Sequence, residues 1–538
     1  MGKKGWRLAM GLVAALLMFG CARTPVPVTP DEREARIRED FLALFASESP
    51  GRVTLEGAMA RAVRHHLATR VKVMDVALAQ RLTDVESYRN LPALTAMAGY
   101  GERDRRPTDS LDLYDTTRAL SMAWNVLDFG VSYLHTRQQS DRVLIARELR
   151  RKAAHNLLQD VRGVYWRAWA GQRLEAAMSP LMSRVQKALA NAREAEQQRL
   201  QPPMQLLDYQ KALLKNWQQI QEVWKGLSGA KVALAELMNV NPGEPFVLAG
   251  PGEEVAMPDL ARFPPLTRLE RIALRQRPEL RERDYQVRIQ TRETRMELLR
   301  LLPGLEFHIG KNYNSGDAYI NHVWAESGMK LAWNLLNLFS APSRLALAQT
   351  KEEYQLLMRQ AVSMSVLAQV HVGYRRLVQA LEEYVTAQAL SDVNERLDRH
   401  AQAGRQAAAM NELDLIQREV ERITSRTRRD VAFAELHNAL GTLFVTLGSD
   451  VLPEEETDPA ELERAIEARL RAWERGAILD QAPAGEVVAP EWRIETVPAS
   501  YWNEVAQPEW TIETTDPPAG EEDGVALMEW VIENRGTP

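Results

Sequence analysis

Leu91-Pro92-Ala93-Leu94 returns 211 residues later as Leu302-Pro303-Gly304-Leu305, and this repetition decides how the rest of the chain is read. At the same offset Ala62-Val63-Arg64 fall on Ala273-Leu274-Arg275. Trp124-Asn125-Val126-Leu127 comes back as Trp333-Asn334-Leu335-Leu336, and Tyr165 as Tyr374, both at 209. Further on, Leu207-Asp208 matches Leu413-Asp414, and Ala235-Glu236-Leu237 matches Ala434-Glu435-Leu436. The offset drifts only by small insertions, so 51–250 and 251–453 are two copies of one plan. A unit of that size is far longer than the roughly 20 to 45 residues of a stacked solenoid repeat.

Within each copy the order is helix, two strands, very long helix, helix. From about 130 to the Pro202-Pro203 pair, Leu149, Ala153, Leu157, Val161, Val164 and Ala168 step by three or four, which is a helical stripe. The second long helix is expected over about 341–404, with Ser340 as N-cap and Pro342 in the first turn. Its Tyr354, Leu357, Ala361, Met364 and Ala368 form a coiled-coil seam. Such helices would be on the order of 100 Å long, more than a globular domain holds.

Period two marks the strands, expected near 93–101 and 119–127 and again near 304–313 and 324–336. Leu120, Met122, Trp124 and Val126 alternate with Ser121, Ala123 and Asn125. Leu305, Phe307 and Ile309 alternate with Glu306, His308 and Gly310, and Met329, Leu331 and Trp333 with Lys330, Ala332 and Asn334. One face is apolar and the other polar, as in a strand between lipid and water or in a half-buried soluble sheet. Glu102 to Arg118 and Asn312 to His322 read as polar loops joining the pairs.

The ends differ from the body. Lys3, Lys4 and Arg7 precede an apolar run from Leu8 to Phe19, then Gly20 and Cys21, a signal-peptide layout over 1–20. Cys21, the only cysteine, stands where a lipoprotein is cleaved and acylated; cleavage by the general signal peptidase is the alternative. Over 21–50 the stretch Thr24 to Pro30 is a proline-rich spacer. The segment 454–538 reads as an acidic, largely disordered tail, with twelve acidic and two basic residues after Asp480. Glu491-Trp492-Arg493-Ile494-Glu495 recurs there as Glu509-Trp510-Thr511-Ile512-Glu513 and Glu529-Trp530-Val531-Ile532-Glu533, either solvated or a docking tail.

Several function classes fall away. A formal charge of −6 without a basic block argues against nucleic acid. One cysteine excludes an internal disulfide and cysteine-rich metal motifs, and His65-His66 lack a further ligand at useful spacing. No catalytic constellation, metal or cofactor is expected, so the chain does not read as an enzyme. After Cys21 no run of about 18 apolar residues occurs, which leaves a closed β-barrel as the only way across a membrane.

In the order of these motifs the chain resembles the TolC-like outer-membrane efflux proteins, of the lipoprotein type, over roughly 52–453. The resemblance rests on Val53-Thr54-Leu55-Glu56-Gly57-Ala58, the two Leu-Pro strand entries, Leu127-Asp128-Phe129-Gly130, the two Leu-Asp pairs and Leu440-Gly441. It implies a mainly α fold with a small β part: a homotrimer whose twelve-stranded β-barrel continues into an α-helical barrel in the periplasm. It implies export of solutes with a periplasmic adaptor and an inner-membrane transporter, in tripartite efflux or type I secretion. Trp124 and Trp333 would then be membrane-interface aromatics in contact with outer-membrane lipid, and Cys21 the lipid anchor. By the same resemblance Asp414 would ring the tunnel entrance and Asp208 would belong to the tip network; both could instead serve the start of a helix. The tips depart from the family, since Arg199 to Gln205 holds no glycine and Gly404 to Glu412 is about one turn longer. The reading from another class is a coiled-coil periplasmic lipoprotein scaffold that forms no pore.

Overall fold

The computed structural model describes residues 27–44, 50–102, 114–198, 202–250, 257–258, 260–316, 319–406, 412–449 and 459–474. The chain divides into two units, Met1–Asp480 and Gln481–Pro538, and every described residue lies in the first. Cys21, the leader, residues 407–411 of the second tip and the Glu-Trp repeats lie outside the described residues.

Two long helices follow the same local logic. Strand β2 (Ala93–Glu102) pairs with β3 (Tyr114–Asn125), and β3 runs directly into α4 (Val126–Gln197). The Asn125 side-chain oxygen accepts the Asp128 N–H at 3.3 Å, satisfying one of the donors that a helix start leaves unpaired. In the second copy β5 (Gly304–Asn314) and β6 (Val323–Ala332) lead to α9 (Leu336–Gln406), where the Asn334 oxygen accepts the Leu336 N–H at 3.1 Å. The repeated Trp-Asn pair is therefore a helix start in both halves, worth about 1 kcal/mol per cap. This corrects the expectation that Ser340 caps the second helix. Asn334 stops the strand earlier, and Pro342 lies inside the helix. The first helix likewise begins at Val126, not near 130, and passes through Pro180, whose exposed side leaves the freed carbonyl to water. At 72 and 71 residues these helices are each about 107 Å long.

Strand β3 also begins earlier than its alternation suggested. Tyr114 to Arg118, read as loop, continue the ladder opposite Glu102 to Ala98. Tyr114, Thr116 and Thr117 are good strand formers, and the Thr116 N–H is held by the Ser315 hydroxyl at 2.8 Å.

The halves meet in a core beside the middle of the long helices. Helices α2 (Leu55–His65), α3 (Leu67–Ser87), α5 (Pro203–Leu227), α6 (Ala230–Leu237), α7 (Leu266–Gln276), α8 (Pro278–Leu299) and α10 (Glu412–Leu447) pack along α4 and α9. A two-stranded parallel sheet, β1 (Arg52–Val53) with β4 (Val247–Leu248), is fixed by the Tyr165 hydroxyl, 2.9 and 2.8 Å from the Val53 and Ala249 carbonyls. Two glycines permit close approach. Gly448 has φ +72°, and a Cβ there would lie 2.8 Å from the Gln276 carbonyl. A Cβ on Gly441 would collide with the Arg162 guanidinium and the Gln159 amide, which explains the Leu440-Gly441 ending.

The start of the supposed tail needs correction. Pro459–Glu474 is a helix, α11, and Leu462, Ile466, Leu470 and Trp473 on one face are buried in the main core. Acidic composition masked this stripe of i, i+4, i+8 and i+11 apolar positions. The Trp473 ring stacks on Phe444 at 4.2 Å and 13°, with Arg162 above it at 5.5 Å. Glu463 on α11 accepts the Thr54 hydroxyl at 2.9 Å.

That docking is sensitive to pH. Burial, then the charges of Glu467 and Glu463, push the Glu56 carboxyl above its ordinary 4.5. A carboxyl raised on folding costs stability when ionised, so the cost is full above its folded pKa and vanishes as pH falls toward the ordinary value. Hydrogen exchange of 459–474 should therefore slow as pH is lowered from 8 toward about 5, after correction for intrinsic rates. In Glu56→Gln protection should be higher at pH 8 and the pH trend should flatten; an unchanged trend would exclude this carboxyl as its source.

Candidate functional site

The four-stranded antiparallel sheet has the order β2-β3-β5-β6, so β2 and β6 are its edges. Directly opposed residues share a face. The register places Leu94, Met122, Ile309 and Ser327 in one row and Trp124, Phe307 and Met329 in another. That face is apolar and open: Leu94 is 69% exposed, Ile309 53% and Met329 67%. The opposite face carries Glu306, His308, Asn312, Glu326 and Lys330, with Glu306 facing Lys330 across the ladder. All five sheet glycines, Gly99, Gly101, Gly304, Gly310 and Gly328, lie on this second face. On three of them a neighbouring side chain, Thr117 on Gly99, Asp115 on Gly101 and His308 on Gly328, occupies the place of a Cβ. A sheet curved with this face inward has its bulk outside and its small residues inside.

Trp124 and Trp333 stand at the sheet–helix junctions, 41% and 50% exposed. The Trp333 indole N–H donates to the Leu301 carbonyl at 3.0 Å, tying the end of β6 to the Leu-Pro entry of β5.

Below the sheet, two stripes of similar period face opposite ways. Leu157, Val161 and Ala168 of α4 are buried in the core. Tyr354, Leu357 and Met364 of α9 are 56%, 64% and 67% exposed, with Ala361 exposed between them and Ala368 exposed one turn beyond. On α3, Leu67, Val71, Met74, Leu78, Leu82 and Val85 form a second exposed seam. Continuous apolar seams of this extent on a chain that does not cover them mark association surfaces.

At the far end, α4 turns into α5 and α9 into α10. Leu181, Val185 and Ala188 of α4 pack with Leu213, Ile220 and Leu227 of α5 and Ile416, Val420 and Ile423 of α10. Over this core runs a chain of charges. Arg422 lies 3.0 Å from Asp398 and 3.9 Å from Glu419, while Arg184 pairs with Glu419 and, at 3.0 Å, with Glu412. Burial and the Glu412 charge together push the Tyr209 hydroxyl above its ordinary pKa. Asp398, Arg422, Glu419, Arg184 and Glu412 thus join α9, α10 and α4, while Tyr209 of α5 packs against the apolar core of the tip.

No family model matches the chain, and no curated protein does. Solved structures do match. The structure of CusC, described in terms of folding and transmembrane channel formation, has a TM-score of 0.60 at 14% identity, over 76% of this chain and 96% of that one. The Campylobacter jejuni CmeC outer membrane channel gives 0.60 at 12%, covering 77% and 89%. The outer membrane protein VceC from Vibrio cholerae gives 0.56 at 13%, covering 73% and 96%. This chain has the TolC-like fold. At these identities the likeness concerns the fold alone.

On the TolC-like fold the two aspartates lie near the starts of the tip's return helices, α5 and α10. Asp208 is exposed and lies beyond the first turn of α5, so it is not an N-terminal capping residue. Asp414 is half-buried in the first turn of α10, where a negative charge is favoured by the helix dipole. Glu412, two residues before Asp414, takes part in the pairing with Arg184. Arg184, Glu419, Arg422 and Asp398 gave no local signal, because Arg184 and Glu412 are 228 residues apart. The spacing of seven between Glu412 and Glu419, which lets one arginine reach both, was the only trace in the sequence.

Proposed function

We propose that three copies of this chain form an outer-membrane channel-tunnel that exports solutes from the periplasm or from an inner-membrane transporter to the outside. The observation that carries this is the sheet: four strands, exposed on both faces, apolar on one and rich in glycine and polar residues on the other. Four strands do not enclose a water-filled bore, and three copies give twelve, an even number that closes antiparallel through β2 and β6. The exposed seams of α3 and α9 then meet their counterparts on neighbouring subunits in a helical barrel below the membrane. Lipid covers the Trp124 and Trp333 belt, and Cys21 anchors the mature chain to the same outer membrane as an acylated terminus. A periplasmic adaptor and an inner-membrane transporter complete the path, as in tripartite efflux or type I secretion. Within the tip, Asp414 lines the entrance and Asp208 supports its closed form, both beside the Arg184 network.

Purified protein in planar bilayers tests the reading. Stable unit conductance from a trimeric species is expected. Monomeric mass together with persistent absence of conductance would favour the scaffold reading instead.

A further inference from the structure

Beneath Trp124 the first long helix carries an aromatic ladder that the second copy lacks. Trp124 meets Phe129 edge-on at 5.7 Å, and Phe129 stacks on Tyr133 at 6.5 Å. The Arg137 guanidinium lies 5.4 Å from the Tyr133 ring centre, and its Nη2 and Nε donate to the Tyr133 hydroxyl at 2.9 and 3.1 Å. Spaced by four, Phe129, Tyr133 and Arg137 share one stripe of α4. All three are exposed, Phe129 38% and Tyr133 45%. The offset of 209 places Pro342 opposite Tyr133 and Ala346 opposite Arg137, so the feature occurs once per chain.

We propose that this ladder binds a phospholipid of the leaflet facing the periplasm, with the lipid phosphate on Arg137 and an acyl chain along Tyr133, Phe129 and Trp124. The inference rests on the reading of the sheet as a membrane barrel. Three observations support it.

The first is depth. The apolar sheet face ends at Trp124, and the polar layer of a bilayer adds about 5–8 Å on each side. Arg137 is about 12 Å along the helix from Phe129. Side chains on a helix tilt toward its N-terminus, here toward the membrane. Folding onto the Tyr133 ring brings the guanidinium back by about one turn, to the level of the headgroup layer.

The second is charge. Arginine has five N–H donors in a planar fork, and the two bonds to Tyr133 leave donors for phosphate oxygens. Among the described residues no carboxylate pairs with Arg137. Asp141, one turn further, is held by Arg288 and Arg292, and Glu86 by Arg89 and His135. The cation is thus uncompensated at the end of an apolar track, which complements a lipid: anionic head, apolar tail.

The third is fixation. Arg292 donates to the Arg137 carbonyl at 2.8 Å, holding the backbone beneath the guanidinium.

The test is native mass spectrometry of the full-length protein, delipidated in detergent and titrated with dimyristoylphosphatidylglycerol. One saturable lipid per chain is expected. Arg137→Gln should weaken it by about tenfold or more, and Arg137→Lys less, since an ammonium keeps the charge but loses the fork. Phe129→Ala should weaken it without any change of charge, and inorganic phosphate should not displace the lipid. Unchanged affinity in both Arg137→Gln and Phe129→Ala would overturn the site, and displacement by phosphate alone would reduce it to a simple anion site. Extraction by sodium carbonate separates the two levels of the argument. Release of the wild-type protein in soluble form would remove the barrel reading itself, whereas retention with unchanged lipid binding removes only this proposal.

Discussion

Replacing Trp473 by Ala is expected to release α11 from the core, at a cost of about 3–5 kcal/mol to its docking. The side chain is 2% exposed, stacked on Phe444 and covered by Arg162, so truncation empties a closed site that the rigid α4–α10 contact does not refill. Leu462, Ile466 and Leu470 stay on the same face, yet they would have to hold the helix against the repulsion among Glu56, Glu463 and Glu467. Limited trypsin digestion reads the outcome, because Arg464, Arg469 and Arg471 lie within the helix. Rapid cleavage there, with the long helices intact, is the expected pattern. A variant as resistant as the wild type would show that the other three apolar residues suffice.

At the tip, Arg184→Ala should have a larger effect than either aspartate substitution. The arginine bridges Glu412 and Glu419 and links α4 to α10, so its loss removes the cation shared by two carboxylates and the tie between the helices. In a conducting trimer this should raise single-channel conductance several-fold. Asp208→Ala, at an exposed position, should raise it little. Asp414→Asn should instead lower cation preference at nearly unchanged conductance, because it removes a charge and keeps the size. Recording in asymmetric salt separates the signatures. Equal conductance in Arg184→Ala and wild type would show that this network does not hold the entrance closed.

Much of the fold was legible because the repeated motifs are local instructions. Trp-Asn ends a strand and starts a helix, and Leu-Pro opens a strand, so the order of elements followed from short stretches. What a periodic stripe faces is not local. Leu157-Val161-Ala168 and Tyr354-Leu357-Met364 show the same steps of three and four, yet one is core and the other lies bare on the chain. Periodicity defines a face and not its partner. Helix α11 was missed for a related reason: four apolar residues among charges were read by composition when their spacing carried the information. The Arg184 pairs of the tip escaped because they join segments more than 200 residues apart, 228 for Glu412 and 235 for Glu419.

Closure of the barrel through β2 and β6 of neighbouring copies is the central claim, and cysteine crosslinking tests it most directly. Within one chain these edges are separated by three strand spacings, about 14 Å, beyond the reach of a disulfide. In a Cys21→Ser background, cysteine at Ala96 on β2 is combined in turn with cysteine at Val323, Ala325 or Ser327 on β6. The account predicts that one of these registers crosslinks in membranes under mild oxidation, giving covalent dimers and trimers and nothing larger. No crosslink in any register, or a ladder running past three copies, would contradict it.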